Sequence, residues 1–350
     1  MPLTFNRPRM ASLLRRGFYR GDIRLTECSR ERWEIHPGES VVERPAIFQE
    51  DGLSRILAVE EHTTREIELK RIRGGPTEHA ATMAYRLNDV ELVDGRIYCQ
   101  DWMRRLTNEP SRIMVESTIE QFKFATLACT HFGSVYFAHW MADDLTLQLA
   151  AESIGTPVTA RRRLYSHESG YADLMDIRPN KVTRARFEQL IVLEDVGQNS
   201  YKRQRYQALR ARLARLPGNG HDKIFIRRGR KFARVARELT NSDEIERFLA
   251  SNGFRIVDPD ELTSTEIAGA MLGSRLVVSV EGSHVAHALY SVGDTAAICL
   301  LQPPNRFNNH FKDFTDCLGL NYAFVVGVMD SAGFAVDVRE LDWVIRRCLT

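Results

Sequence analysis

Cysteine is scarce and scattered. Cys28, Cys99, Cys129, Cys299, Cys317 and Cys348 form no C-x-x-C pair and no metal-finger spacing, so neither a disulfide framework nor a zinc ribbon is suggested, and a reducing compartment fits best. Long apolar runs are missing too: no stretch of about 18 apolar residues occurs, and the N-terminus has no segment long enough for a signal peptide. The expected location is therefore cytoplasmic. The N-terminal Arg7, Arg9, Arg15, Arg16 and Arg20 allow peripheral contact with an anionic membrane at its inner face, or form a solvated terminus. Excess charge of either sign is absent as well, since the formal net charge is +2, so no nucleic-acid partner is expected. Lysine is nearly missing. Of 48 basic residues, 7 are lysine and 41 are arginine, the side chain suited to forked contacts with phosphate and carboxylate, although a high-GC genome produces the same bias.

What is present is a soluble α/β composition, 43% hydrophobic and 27% charged over 350 residues, which is long enough for two domains. Residues 40 to 105 read as β-rich: TREIELKRIRG (63–73), TMAYRL (82–87) and VELVDGRIYC (90–99) alternate with period two, and Asp94-Gly95 signals a turn. From 135 to 154 the apolar positions Val135, Ala138, Met141, Leu145 and Leu149 recur at helical spacing until Gly155 and Pro157. A very basic helix over 200–216 ends at Pro217-Gly218-Asn219-Gly220. That cluster is read as a boundary between an N-terminal domain (1–217) and a C-terminal one (218–330), with 331–350 as a helical tail that returns to the first domain.

Past the boundary, KIFI (223–226), FRIVD (254–258), RLVVSV (275–280), AAICLL (296–301) and NYAFVV (321–326) alternate with helical segments, one starting at Asn241-Ser242 and ending at Asn252-Gly253, the next opening with a Thr263/Glu266 capping box. Such alternation implies a parallel, Rossmann-like sheet whose ligands lie outside the carboxyl ends of the strands.

Three segments carry chemistry. Arg227-Arg228-Gly229-Arg230-Lys231 follows a strand and is either a diphosphate clamp or a solvated basic loop. Glu281-Gly282-Ser283-His284 joins a strand to a helix start, where backbone N–H groups approach an anion, Ser283 caps the helix, and Glu281 accepts from ribose hydroxyls or pairs with an arginine. His139 and Asp143, four apart on a helix, share a face and suit general acid/base work, or form an ordinary core pair. A metal reading adds Glu281, His284 and His287 to that pair, without any compact signature.

In this order the segments resemble glycosyltransferase family 61. The resemblance rests on FAHWMADDL (137–145), KIFIRRGRK (223–231), GFRIVDPDEL (253–262) and SRLVVSVEGSHVAHALY (274–290). It implies a GT-B-like architecture, two Rossmann-type domains facing a cleft, and inverting transfer of a hexosyl or pentosyl group from a nucleotide sugar, a UDP-sugar being one candidate. The acceptor would be a glycan or lipid-linked hydroxyl in polysaccharide biosynthesis, with no cofactor and no metal. Carried over by position, Asp143, His139 and Asp144 fall on the catalytic segment, Trp140 on the acceptor side, and Arg227, Arg228, Lys231, Glu281, Gly282, Ser283 and His284 on the donor side. The chain departs from the family pattern at Glu281, where histidine is usual, at His287, near a usual asparagine, and in ARELTNSDE after the arginine pair. Two further readings stay open: a non-catalytic nucleotide- or glycan-binding protein, and a metal-dependent hydrolase. Spacing does not decide which of Asp143 and Asp144 faces the substrate, because adjacent helical residues point about 100° apart.

Overall fold

The computed structural model describes residues 3–10, 24–100, 102–218, 220–229 and 237–350. The chain forms two compact units, Met1–Gly38 with Ala80–Gly197, and Glu39–His79 with Gln198–Thr350.

Among the described residues the first unit is built on an eight-stranded mixed sheet. Its strands are β1 (Glu31–His36), β2 (Thr82–Val93), β3 (Arg96–Cys99), β4 (Trp102–Arg105), β5 (Glu120–Leu127), β6 (Pro157–Ala160), β7 (Asn180–Val182) and β8 (Arg184–Glu194). They lie in the order β7-β6-β5-β8-β2-β3-β4, with β1 also on β2. The four strands β7-β6-β5-β8 are parallel, while β2 runs antiparallel to β8. Four parallel strands are thus extended by an antiparallel meander, and the stretch read as β-rich, residues 40 to 105, supplies β2, β3 and β4 of this sheet. The period-two reading holds for β2 and β3: Asp94 (φ 47°) and Gly95 (φ 67°) both take positive φ between them, as a two-residue hairpin turn of right-handed twist demands.

The second unit carries β9 (Lys223–Ile226), β10 (Arg255–Val257), β11 (Leu276–Val280), β12 (Ala297–Gln302) and β13 (Asn321–Val326), all parallel in the order β10-β9-β11-β12-β13. Every residue of β11 and β12 is buried, as strands covered on both faces require. The Ser242–Ser251 helix ends before Gly253 at φ 78°, and Thr263 and Glu266 close the capping box of the Ser264–Met271 helix. Between β11 and β12 the expected helix is a short 3₁₀ segment, Ser283–Ala288.

Three organisational expectations change. Residues 63–73 alternate in polarity yet form the Arg65–Arg73 helix, because Thr64 caps it by accepting from Ile67 N and because Glu68 and Ile72, four apart, are its buried face. The β-rich stretch 40–105 is shared between units: Glu39–His79 belongs to the second, where Ile47 N donates to Tyr322 O (2.9 Å) and Ile47 O accepts from Phe324 N (3.1 Å) on the edge strand β13. Phe48 stacks on Phe324 at 4.7 Å, and the buried Glu68 carboxylate accepts from Asn309 N and Nδ2. The division falls at Gly197, not 217, because the arginines of the Ser200–Leu213 helix serve the second unit: Arg203 donates to Cys317 O (2.6 Å), and Arg210 to Leu289 O (3.1 Å) and Asp294 (2.9 Å). Nor is 331–350 a tail on the first domain. Leu341, Val344 and Ile345 of the Val338–Leu349 helix are buried in the same core cluster as β11, β12 and β13 residues.

Candidate active site

In the first unit the crossover from β5 to β6 contains the His-Trp segment. Thr130, just past β5, caps the His131–Val135 helix by accepting from Gly133 N. The chain then runs through Phe137–His139 into a π-helical turn, Trp140–Asp144, before the regular Leu145–Ile154 helix. Such one-turn widenings are rare and concentrate at functional sites. On this turn two four-apart pairs point in different directions. His139 Nδ1 and Asp143 Oδ2 are 2.7 Å apart, with side chains 21% and 23% exposed. Trp140 and Asp144 are 3% and 1% exposed.

That settles the orientation: Asp143 and His139 are accessible, and Asp144 points inward. Asp144 Oδ1 accepts from Thr130 N (2.9 Å) and Thr130 Oγ1 (2.8 Å). Gly133 is required beside it, since a Cβ there would lie 2.2 Å from the Asp144 carboxyl carbon. Burial pushes the Asp144 pKa up to about 8 against the Thr130 hydrogen bonds, so the group is mostly protonated at neutral pH. Trp140 stacks on Phe137 at 5.9 Å, while the rings of Phe132 and Tyr136 flank His139 at 5.4 and 5.9 Å.

In the second unit the strand order reverses between β9 and β11, the switch point at which open α/β sheets bind ligands. Both C-terminal motifs emerge there. Arg227 is already committed: its Nε and Nη2 fork onto the Glu246 carboxylate at 2.8 and 2.5 Å, with Asp258 at 3.6 Å. Arg228 turns the other way, donating from Nη1 to Glu281 O at 2.9 Å, and burial with Arg237 beside it pushes its pKa down to about 10. The Glu281 carboxylate accepts from Arg237 Nη1 (3.2 Å) and Arg306 Nη1 (2.9 Å), and Arg306 also reaches Glu60 at 3.4 Å. Two guanidiniums thus hold the Glu281 carboxylate while a third, Arg228, holds its backbone carbonyl.

His284 Nε2 lies 2.8 Å from Ser279 Oγ, whose own proton goes to Ile226 O, so Nε2 is the donor and Nδ1 the acceptor. Burial, with Arg228 and Arg237, pushes this imidazole down to about 3, and it is neutral at pH 7. It is a positioning group rather than a cation for phosphate. Gly282, at φ 156°, leaves a gap in which a Cβ would sit 3.0 Å from the His284 ring. Gly282 itself is the N-cap residue of the 3₁₀ segment and no side chain caps it, which corrects the capping role expected of Ser283. Lys231, the remaining donor-side residue from the motif, lies outside the described residues. The Glu281 carboxylate faces guanidiniums, the wrong neighbours for a cation, and this removes the support for a metal reading that includes it.

Sequence reasoning missed Arg237, Arg306, Glu60 and Ser279. Arg306 had a weak signal, standing four residues after the carboxyl end of β12, Arg237 had one in the ARELTNSDE stretch (236–244) after the arginine pair, and Glu60 had none. The stretch from the accessible His-Asp pair to the switch point is that of a glycosyltransferase. The family model that matches is that of glycosyltransferase 61, over residues 137–298, so this stretch carries that family's domain. No curated protein matches the chain.

Proposed function

We propose that the protein is an inverting glycosyltransferase that moves a sugar from a nucleoside diphosphate sugar to a hydroxyl of a glycan or lipid-linked acceptor in polysaccharide biosynthesis. The observation that carries this reading is the meeting of the two C-terminal motifs at the switch point between β9 and β11, with Arg228, Arg237 and Arg306 gathered there. Guanidiniums at this place suit the negative charge that develops on a departing diphosphate. The acceptor hydroxyl loses its proton to Asp143, oriented by His139, as its oxygen forms the new bond to the anomeric carbon. The bond from that carbon to the diphosphate breaks, and its electron pair leaves with the phosphate. The two-domain GT-B arrangement and a cytoplasmic location, peripheral at the membrane, remain parts of this proposal.

A non-catalytic binding protein is the second reading, favoured by one observation: Glu281 stands where the family usually has histidine and already occupies Arg237 and Arg306. One experiment separates the two. The full chain is incubated with a panel of nucleotide sugars, with and without a chelator, and nucleoside diphosphate binding and release are both measured. Transfer or slow donor hydrolysis that survives the chelator supports the enzyme, and binding without release supports the alternative. Arg228→Ala should weaken nucleoside diphosphate binding by about 1.5–3 kcal/mol, the range for a charged hydrogen bond. Unchanged affinity in this variant overturns the phosphate role.

A further inference from the structure

The first unit contains a pocket of about 230 Å³ that shares Trp140 and Asp144 with the His-Trp segment but reaches well beyond it. Its wall includes Trp140, Asp144 and Gln148, three residues at four-residue intervals along one face of the crossover helix, and Arg162, Glu168 and Lys181 opposite. Its lining includes Cys129, just past β5, and Ala160, the last residue of β6, so it lies at the carboxyl ends of these parallel strands, where such sheets present ligands.

Gln148 is the informative residue. It is 3% exposed, yet its Oε1 is buried and accepts no hydrogen bond among the described residues. Buried side-chain amides in native proteins nearly always find partners, so an orphan acceptor on a cavity wall asks for a donor from whatever fills the cavity. The remaining wall limits what that is. Arg162 pairs with Glu168 at 2.8 Å, Lys181 approaches the same carboxylate at 3.9 Å, and Arg178 pairs with Asp173 at 3.2 Å, leaving little net charge to attract a phosphate or an ammonium group. Asp144, a mostly protonated carboxyl at neutral pH, has both a donor and an acceptor. Trp140 adds an indole wall to this polar set, the mixture that suits a hydroxylated ring with one apolar face. The volume lies below the roughly 300–1,000 Å³ of drug-sized ligand sites, which fits one ring and not two.

We propose that this pocket is a subsite for a single neutral sugar ring of the acceptor, with Gln148 Oε1 accepting from one of its hydroxyls. The same helical turn that lines the pocket with Trp140 and Asp144 carries His139 and Asp143 on its accessible side, so a ring seated here lies against the segment that holds the proposed base. The assignment of the ring to an acceptor rests on the transferase reading; the pocket and its orphan acceptor do not.

The test uses the full chain and the methyl glycosides of glucose, galactose, mannose and xylose at millimolar concentration, observed by saturation-transfer NMR, with uridine diphosphate as a separate probe. At least one glycoside should bind the wild type. Gln148→Leu removes the orphan acceptor at nearly constant volume and should weaken that glycoside about tenfold, with an unchanged or higher melting temperature. Ser169→Trp, an exposed position on the rim, should abolish glycoside binding by plugging the mouth, and uridine diphosphate binding should be the same in all three proteins. The proposal is overturned if no glycoside binds the wild type, or if binding persists unchanged in both variants. If glycoside binding is lost in the variants but no nucleotide binds any of the proteins, the sugar subsite stands and the transferase reading fails.

Discussion

Asp143 and Asp144 are neighbours with opposite surroundings, and each has its own expected behaviour. Asp143→Asn keeps the side chain's shape and loses its basicity, so sugar transfer should fall by about 100-fold or more, the contribution of a positioned base. Donor affinity and melting temperature should stay where they are, and a loss of stability alongside activity would make the residue a helix brace instead. If His139→Ala is dead while Asp143→Asn retains a few per cent of the wild-type rate, the imidazole is the base and the carboxylate orients it. Asp144 is read through pH. Its pKa in the folded chain, about 8, lies above the ordinary 3.8, so between these values the folded state holds a proton that the unfolded state has released. The group therefore favours folding at low pH, and this stabilisation is lost as pH rises from about 4 to 8. Asp144→Asn keeps an oxygen for the two Thr130 donors and has nothing to ionise. Thermal melts at pH 5 and pH 8 should show a smaller drop for this variant than for the wild type, and equal drops would refute the buried-proton account.

The π turn depends on Gly133 as much as on its own residues, because the Asp144 carboxyl occupies the volume of the missing side chain. Gly133→Ala should destabilise the protein by about 1–3 kcal/mol, the usual cost of overpacking a tight site. Gly269, in the middle of the Ser264–Met271 helix, meets only Pro217 O at 3.9 Å, and alanine there should stabilise by roughly 0.5–1 kcal/mol. Urea titrations of the two variants should therefore shift in opposite directions. At this scale the sequence was readable where one local rule dominated. The fully apolar strands β11 and β12, the Asp94-Gly95 turn and the Thr263/Glu266 cap each follow from residues within a few positions of one another. The Arg65–Arg73 helix was not readable as such, since an alternation of charged and apolar residues satisfies period two on paper while the buried pair Glu68 and Ile72 follows period four. The π turn leaves no periodic trace at all. The site was legible in part for the same reason: strand-end motifs located Arg228 and Glu281, whereas only tertiary packing brings Arg237 and Arg306 to the Glu281 carboxylate and Glu60 to Arg306.

For the molecule as a whole, the excursion Glu39–His79 is structural in the second unit, since it covers the edge strand β13 with Ile47 and Phe48 and supplies the buried Glu68 carboxylate to Asn309. An exposed apolar edge is a template for association between chains. Residues 198–350 expressed alone should be aggregation-prone and lack a cooperative melt, and a fusion of 39–79 through a flexible linker to 198–350 should restore both solubility and cooperativity. Cooperative melting of 198–350 alone at the temperature of the fusion would show that the excursion is only an ornament of the surface.

The same excursion sets a clock on biosynthesis. Arg44 donates to Asn321 across 277 residues of sequence, so the excursion leaves the ribosome long before the strand it covers. At roughly 5–20 residues per second, its partner follows about 14 to 55 seconds later. During that interval β1 and β2, which flank the excursion, already have each other to pair with, and the first unit has its last strand, β8, by residue 194. The excursion, with Ile47 and Phe48 still uncovered, waits as a loop tethered at both ends to a unit able to finish first. The nascent chain thus carries a sticky segment of known position for most of its synthesis, and a pause or truncation anywhere between residues 200 and 320 would leave it in the hands of chaperones.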